Sequence, residues 1–170
     1  MPLDSDLERL LLQEDRLQFT QFNATIAWEF GTRLRTAAEA RVAPVAIDIH
    51  VNGSPLFFTA LAGATPDNLD WIRRKRNVVL RFQRSSYAIG MLLQKQHTTL
   101  EASRGVDRRD YATHGGSFPI VLQGTGCIGA ITVSGLPQRE DHMLIVEVLA
   151  AFLGQPLQEF ALSNDEEPLF

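Results

Sequence analysis

Four groups of residues have the types and spacing for chemistry. His114 stands directly before Gly115 and Gly116, so an imidazole that can act as a ligand lies beside backbone with no Cβ, which admits a flat partner. The other use of such a corner is a histidine that caps a turn or makes a subunit contact. His142 falls in the first turn of a C-terminal helix and is a second ligand candidate. His50 alternates with the apolar positions of a strand and reads as surface or interface, while His97 lies in an irregular stretch. Ser117 and Ser134 neighbour the two candidate histidines in sequence, but neither sits in a Gly-x-Ser-x-Gly elbow. Tyr111 with Asp110 could relay a proton beside His114.

The fourth group is the basic run Arg73-Arg74-Lys75-Arg76, continued by Arg81 and Arg84, with no acidic residue between Asp70 and Glu101. Guanidinium forks recognise carboxylate and phosphate, so Arg76 or Arg84 is a candidate anion holder. Alternatively the run is a solvated face, or it pairs with acids of another subunit, for which the tail residues Asp165, Glu166 and Glu167 are available. No histidine pair has a metal-ligand spacing and there is a single cysteine, Cys127, so no metal site is assigned and no intrachain disulfide can form. Phosphate-binding loops, dinucleotide fingerprints and kinase signatures are absent. Nothing in the sequence decides whether a reaction is catalysed.

These residues need elements to position them. Leu7, Leu10 and Leu11 predict an amphipathic helix over 4–14 that packs as a flap, and Leu17 to Phe22 is either a strand or an extended entry. Asn23 caps a helix whose buried stripe is Ala27, Phe30, Leu34 and Ala37 or Ala38. Val45, Ile47, Ile49 and Val51 alternate with Ala46, Asp48 and His50, predicting a half-buried strand. Asn52-Gly53 then turns it into a returning strand over 56–61. A long helical region runs over 67–95 with a break at Ser85-Ser86 or Gly90. Residues 96–117 lack periodicity, and that length of irregular chain in a small domain is more often functional or interfacial than idle. A second hairpin joins Phe118–Leu122 to Cys127–Val133 through Gly124 and Gly126. The last helix, 137–153, is apolar nearly all round and must be covered on more than one side. The tail from Gly154 is expected to be largely mobile, with Leu169 and Phe170 able to dock on a neighbour.

At 170 residues and 45% hydrophobic content the chain suits one core. The expected organisation is an N-terminal helix and entry over 1–22, a single domain over 23–155 and an acidic tail over 156–170. A net charge of -4 argues against a nucleic-acid partner, since sequence-independent binding needs a broad basic surface. No secretory start or membrane-length apolar run is read, so the expectation is a cytoplasmic protein without membrane contact. Two hairpins followed by runs of helix argue for an α+β layered domain with an antiparallel sheet.

The residues Gly115, Gly116, Phe118, Pro119 and Ile120, then Gly129, Ala130, Ile131, Val133, Ser134, Gly135 and Asp141, form a pattern that resembles the haem-degrading-domain family, also called GlcG-like or HbpS-like. The stretch Trp71 to Ser86 is similar to its UPF0303 subgroup, and the resemblance covers roughly residues 20 to 155. It implies a profilin-like α/β/α layered domain with a central antiparallel sheet, a homo-oligomer, and a small-molecule ligand of the haem or related tetrapyrrole class. On that reading the ligand-binding set is Tyr111, His114, Gly115, Gly116, Ser117, Ser134, His142, Arg76 and Arg84. A tetrapyrrole asks for an apolar slot, an axial imidazole and cations for its propionates. The alternatives are a small carboxylate or phosphate ligand, bound or acted on, and a non-catalytic oligomeric scaffold. Tyr111 to Ser117, the start of the last helix and part of Arg73 to Arg84 should then meet around one pocket.

Overall fold

The computed structural model describes residues 2–163. In chain order these form α1 (Pro2–Arg16), α2 (Ala24–Ala40), β1 (Ala46–Val51), β2 (Ser54–Ala60), α3 (Pro66–Phe82), α4 (Ser86–Lys95), α5 (Leu100–Arg104), β3 (Ser117–Leu122), β4 (Gly126–Ser134) and α6 (Gln138–Phe152), followed by a 3-10 turn at Leu157–Glu159. The strands make one antiparallel sheet in the order β2-β1-β4-β3.

Register divides the sheet into two unlike faces. Phe57, Ile49, Ile131 and Phe118 are lateral neighbours across the four strands, and with Ile47, Val133 and Ile120 they pack against Phe30 and Leu34 of α2 and Leu144, Ile145 and Leu149 of α6. One residue along, Phe58, Asp48, Thr132 and Ser117 make the corresponding row on the opposite face. That face is covered by α3, which packs over β4, β3 and β1. The molecule is thus an α/β/α layered, profilin-like α+β domain. The strand read as half-buried is buried on both faces, because α3 lies over its polar side: Asp48 is only 4% exposed.

Local chemistry sets the boundaries. Asn23 accepts a hydrogen bond from the Ile26 N–H at 2.9 Å and starts α2. Asn52 and Gly53 both take positive φ, as the two-residue turn between twisted strands requires. The long helical region breaks where Gln83 adopts a left-handed conformation and Ser85 caps α4 through the Ala88 N–H. Phe19 makes a parallel bridge to Leu122, so the segment before α2 is an extended entry that lines the β3 edge.

α6 is covered on several sides, by α2, the sheet, α4 and the 3-10 turn of its own chain, as its nearly all-round apolar surface requires. One expectation changes: the segment after Gly154 is more ordered than its composition suggests. Phe160 is wholly buried, its carbonyl accepts from Gln13 Nε2 at 2.7 Å, and Arg139 donates to the Ser163 carbonyl. The expectations for Asp165, Glu166, Glu167, Leu169 and Phe170 fall outside the described residues.

Candidate functional site

The irregular stretch before β3 is held in place by the basic run of α3. Arg74 donates from Nε and Nη2 to the Arg108 carbonyl at 3.1 and 2.6 Å, and its own carbonyl accepts from the Ala112 N–H. Arg73 reaches the Arg109 carbonyl and the Asp110 carboxylate, each at 2.9 Å, and Asn77 donates to the Asp110 carbonyl at 2.8 Å. The other cations are occupied elsewhere. Arg76 pairs with Asp48 at 2.9 Å, beside His50 Nδ1, which is itself 2.8 Å from the same carboxylate. Arg84 pairs with Glu14 at 2.8 Å, and Arg81 lies over the Tyr111 ring. Among the described residues the partners of the run lie within its own chain. It ties its own chain together.

Between this loop, α4 and α5 lies a cleft of about 800 Å³. Its walls include Arg74 of α3, Gly90, Met91 and Gln94 of α4, His97, Thr99 and Leu100 beyond it, Arg108 and Tyr111 to His114 of the loop, Gln138 at the start of α6, and Leu3 and Asp4 of α1. The loop approaches α4 closely because Gly90 has no side chain: a Cβ there would lie 2.3 Å from the Thr113 carbonyl oxygen. His114 borders the cleft edge-on to Trp71, with ring centroids 4.9 Å apart, and the Arg74 guanidinium covers the same indole at 4.6 Å. Partial burial, then the charges of Lys75 and Arg74, lower the basicity of His114 and favour its neutral form.

Of the residues selected from sequence, His114 and Tyr111 line the cleft, together with the start of α6 and one arginine of the basic run, Arg74. The others lie elsewhere. Gly115 and Gly116 face inward: the Gly115 N–H donates to Gln138 Oε1 at 3.1 Å, and a Cβ on Gly116 would meet the Val133 carbonyl oxygen at 2.4 Å. Their lack of side chains serves backbone packing. Ser117 bonds Thr132 Oγ1 at 2.9 Å in the interior, and Ser134 is buried near Asn68. His142 is sealed in the core against Tyr87 and Phe118, 2.7 Å from Gln13 Oε1. Burial, with Arg139 nearby, pushes its pKa down to about 3. Arg76 and Arg84 are committed to carboxylates, and Asp110, the partner considered for a proton relay, is committed to Arg73.

Several residues that build the site gave little sign of it. Lys75 and Asp141 form an almost fully buried ion pair at 3.0 Å directly under Gly116, and Asp141 also accepts from the Leu136 N–H at 2.9 Å. Burial drives Lys75 down and Asp141 up in pKa, against their mutual attraction. Trp71, Gln138 and Gly90 were equally silent, although an isolated glycine in a helical pattern is a signal for close approach. Among the described residues no three metal-binding side chains converge, and no helix is long and apolar enough to cross a membrane.

The α/β/α topology is shared by a solved structure of HbpS, 22% identical with a TM-score of 0.62 over 81% of this chain and 94% of that one. Residues 22–150 match the family described as haem degrading protein HbpS-like, and the chain belongs to it. Among its relatives, a UPF0303 protein of Azotobacter vinelandii is 58% identical over 164 residues, covering 96% of this chain and 99% of the relative. Among solved structures, Ybr137w protein is 38% identical and superposes with a TM-score of 0.81, covering 87% of both chains. A PduOC:heme complex shares the fold at 14% identity, with a TM-score of 0.65 over 76% of this chain and 94% of that one.

Proposed function

We propose that the protein binds haem or a related tetrapyrrole in this cleft, with His114 as ligand to the central metal. The observation that carries the reading is the His114 imidazole on the wall of a cleft of about 800 Å³, within the volume range of small-molecule and cofactor sites. The remaining lining fits such a group. Met91, Leu93 and Leu100 supply apolar surface, while Arg74 and Arg108 supply cations for carboxylate substituents; Lys95 is paired with Asp4 at 2.7 Å. The family description and the haem complex of a protein with this fold support the same ligand class. When bound, such a group supplies redox and ligand-binding chemistry at its metal. The chain's own contribution is to hold His114 edge-on to Trp71 and to lower its basicity through partial burial and the charges of Lys75 and Arg74.

Tyr111, Arg74 and Gln138 complete the binding surface, whereas Gly115, Gly116, Ser117 and Ser134 support it from behind. A small carboxylate or phosphate compound is the second reading, favoured by Arg74 and Arg108 on the cleft wall. Self-association belongs to the proposal as well, supported by the exposed Trp28, Phe58, Leu69 and Leu80. Light scattering at the monomer mass of 18.9 kDa would remove it. The compartment we infer is the cytoplasm, in keeping with a single cysteine.

Titrating the purified protein with haem tests the main reading. A saturable Soret shift that is lost in His114→Ala is expected. No saturable shift in the wild type, or one that persists unchanged in His114→Ala, rejects His114 as the ligand. Protection against thermal unfolding by phosphate or citrate, without a haem response, would select the second reading.

A further inference from the structure

α1 lies outside the span that matches the family, yet its first turn forms part of the cleft wall through Leu3 and Asp4. The helix runs antiparallel to α4: Asp4 pairs with Lys95 at 2.7 Å near the end of α4, and Glu14 accepts from the Ser85 N–H at 2.8 Å at its start. The hold on the body is uneven along this length. From Asp6 onward the anchors are largely buried. Asp6 takes the Arg139 guanidinium at 2.7 and 3.2 Å, and Leu10 packs with Tyr87, Ala88 and Met91. Gln13 bonds His142 and the Phe160 carbonyl at 2.7 Å each, and Glu14 pairs with Arg84 at 2.8 Å. Before Asp6 the one side-chain bond to the body, among the described residues, is that of Asp4 with Lys95. Their side chains are 46% and 54% exposed, and a pair so exposed adds little stability. The turn from Pro2 to Ser5 is therefore the part of α1 that can leave its place while the rest of the helix stays.

The partner of Asp4 is what gives this turn a role. Arg74, Arg108 and Lys95 border the cleft. Arg74 and Arg108 have no carboxylate partner among the described residues, whereas the charge of Lys95 is taken by Asp4; Glu101 is the other acid on the wall. An acid in the first turn of a helix is ordinary, since it faces the positive end of the dipole. Here that acid also reaches a cation of a ligand-sized cleft, and Leu3 borders the same space. A carboxylate and an apolar side chain are the kinds of group that an anionic ligand with an apolar body would bring to this wall. We propose that the turn from Pro2 to Ser5 is an autoinhibitory latch: Asp4 holds Lys95 until a ligand carboxylate or phosphate takes that cation and releases the turn. The inference rests on the reading of the cleft as a site for an anionic ligand, and it is the same for haem and for a small acid.

Haem and citrate are the probes, titrated into wild type, Asp4→Asn, Lys95→Gln and the double variant. Hydrogen exchange is read at Asp6 to Arg9, whose amides bond the carbonyls of Pro2 to Ser5 in the helix. Freeing Lys95 in Asp4→Asn should tighten binding by up to about fivefold, the most that an exposed ion pair typically withholds. In the Lys95→Gln background the Asp4→Asn change should leave affinity unaltered. Exchange at Asp6 to Arg9 should be faster in Asp4→Asn, and in wild type once the probe is bound, with Leu11 to Arg16 unchanged and the melting temperature preserved. Tightening for haem alone assigns the latch to a macrocyclic carboxylate, and for citrate alone to a small acid. Binding by wild type that is no tighter in Asp4→Asn, tightening that survives Lys95→Gln, or greater protection at Asp6 to Arg9 with the probe bound overturns the latch and leaves the cleft reading in place. If neither wild type nor any variant binds either probe, the cleft reading falls and the latch with it.

Discussion

Lys75 and Asp141 meet at 3.0 Å beneath Gly116, and both are almost wholly buried. The pair joins α3 to the start of α6. Lys75 Nζ also donates to the Val133 carbonyl at 3.1 Å, and Asp141 takes the Leu136 N–H at 2.9 Å, so helix, strand end and turn share one charged junction. Removing one partner leaves an uncompensated charge in the interior, which typically costs about 3–5 kcal/mol. Lys75→Met should lower the urea midpoint accordingly. Adding Asp141→Asn, which removes the stranded charge and keeps an acceptor for Leu136, should restore part of the loss. Equal midpoints for the single and double variants would show that the charge is not what matters.

His142 makes stability depend on acid. Its ordinary pKa near 6.5 falls to about 3 in the folded protein because the imidazole is wholly buried. The unfolded chain therefore binds a proton that the folded one refuses between those values, so stability rises with pH across that window. It is fully present above about pH 6.5 and falls away toward pH 3, by on the order of 5 kcal/mol at most. Denaturant unfolding at a series of pH values should show this slope. His142→Leu leaves Gln13 Oε1 without its partner and should be less stable at pH 7, but with a flatter dependence in acid.

The layers and most elements were legible because periodicity reports burial directly. Phe30 and Leu34 on α2, and the alternation through Ile47 and Ile49, point into the core they predict. What periodicity cannot report is which distant element supplies a partner. The basic run of α3 has no nearby acid in sequence, yet Arg76 finds Asp48, Arg84 finds Glu14, and Arg73 and Arg74 find loop carbonyls more than thirty residues away. His142 looked like a helix-start ligand because its burial comes from α1 and α4, elements remote in sequence. The cleft was partly foreseen through His114 and Tyr111. Its other walls come from Gly90, His97 and Leu3, whose types alone say nothing about a site.

Two glycines with positive φ should respond differently to alanine. Gly124 sits at φ 80 in the β3–β4 turn with open space around its Cβ position, so Gly124→Ala pays only the conformational cost, about 1–2 kcal/mol. Gly116 sits at φ 127, and its Cβ would meet the Val133 carbonyl oxygen at 2.4 Å and Lys75 Nζ at 2.8 Å. Gly116→Ala must move backbone and disturb the buried pair. It should cost clearly more than Gly124→Ala, measured by thermal unfolding of both variants. Similar melting temperatures would mean that the corner relaxes around the new side chain.

Arg74 and Arg76 are neighbours in sequence with separate duties, and this gives a test of where the ligand sits. Arg76 serves Asp48, a carboxylate only 4% exposed, and does not line the cleft. Arg76→Ala should therefore lower stability, by a few kcal/mol if Asp48 stays charged, and leave haem affinity unchanged. Arg74 fixes the Arg108 carbonyl, stacks on the indole beside His114 and faces the cleft itself. Arg74→Ala should loosen the loop and remove a cation from the site, weakening haem binding about tenfold, which corresponds to about 1.4 kcal/mol. Arg74→Lys keeps the charge but not the planar two-point hold on the carbonyl, so it should recover only part of that loss. Paired titrations and melts separate the two residues. If Arg76→Ala weakened binding as much as Arg74→Ala while the fold stayed intact, the ligand would belong against β1 and α3 and not in the cleft beside His114.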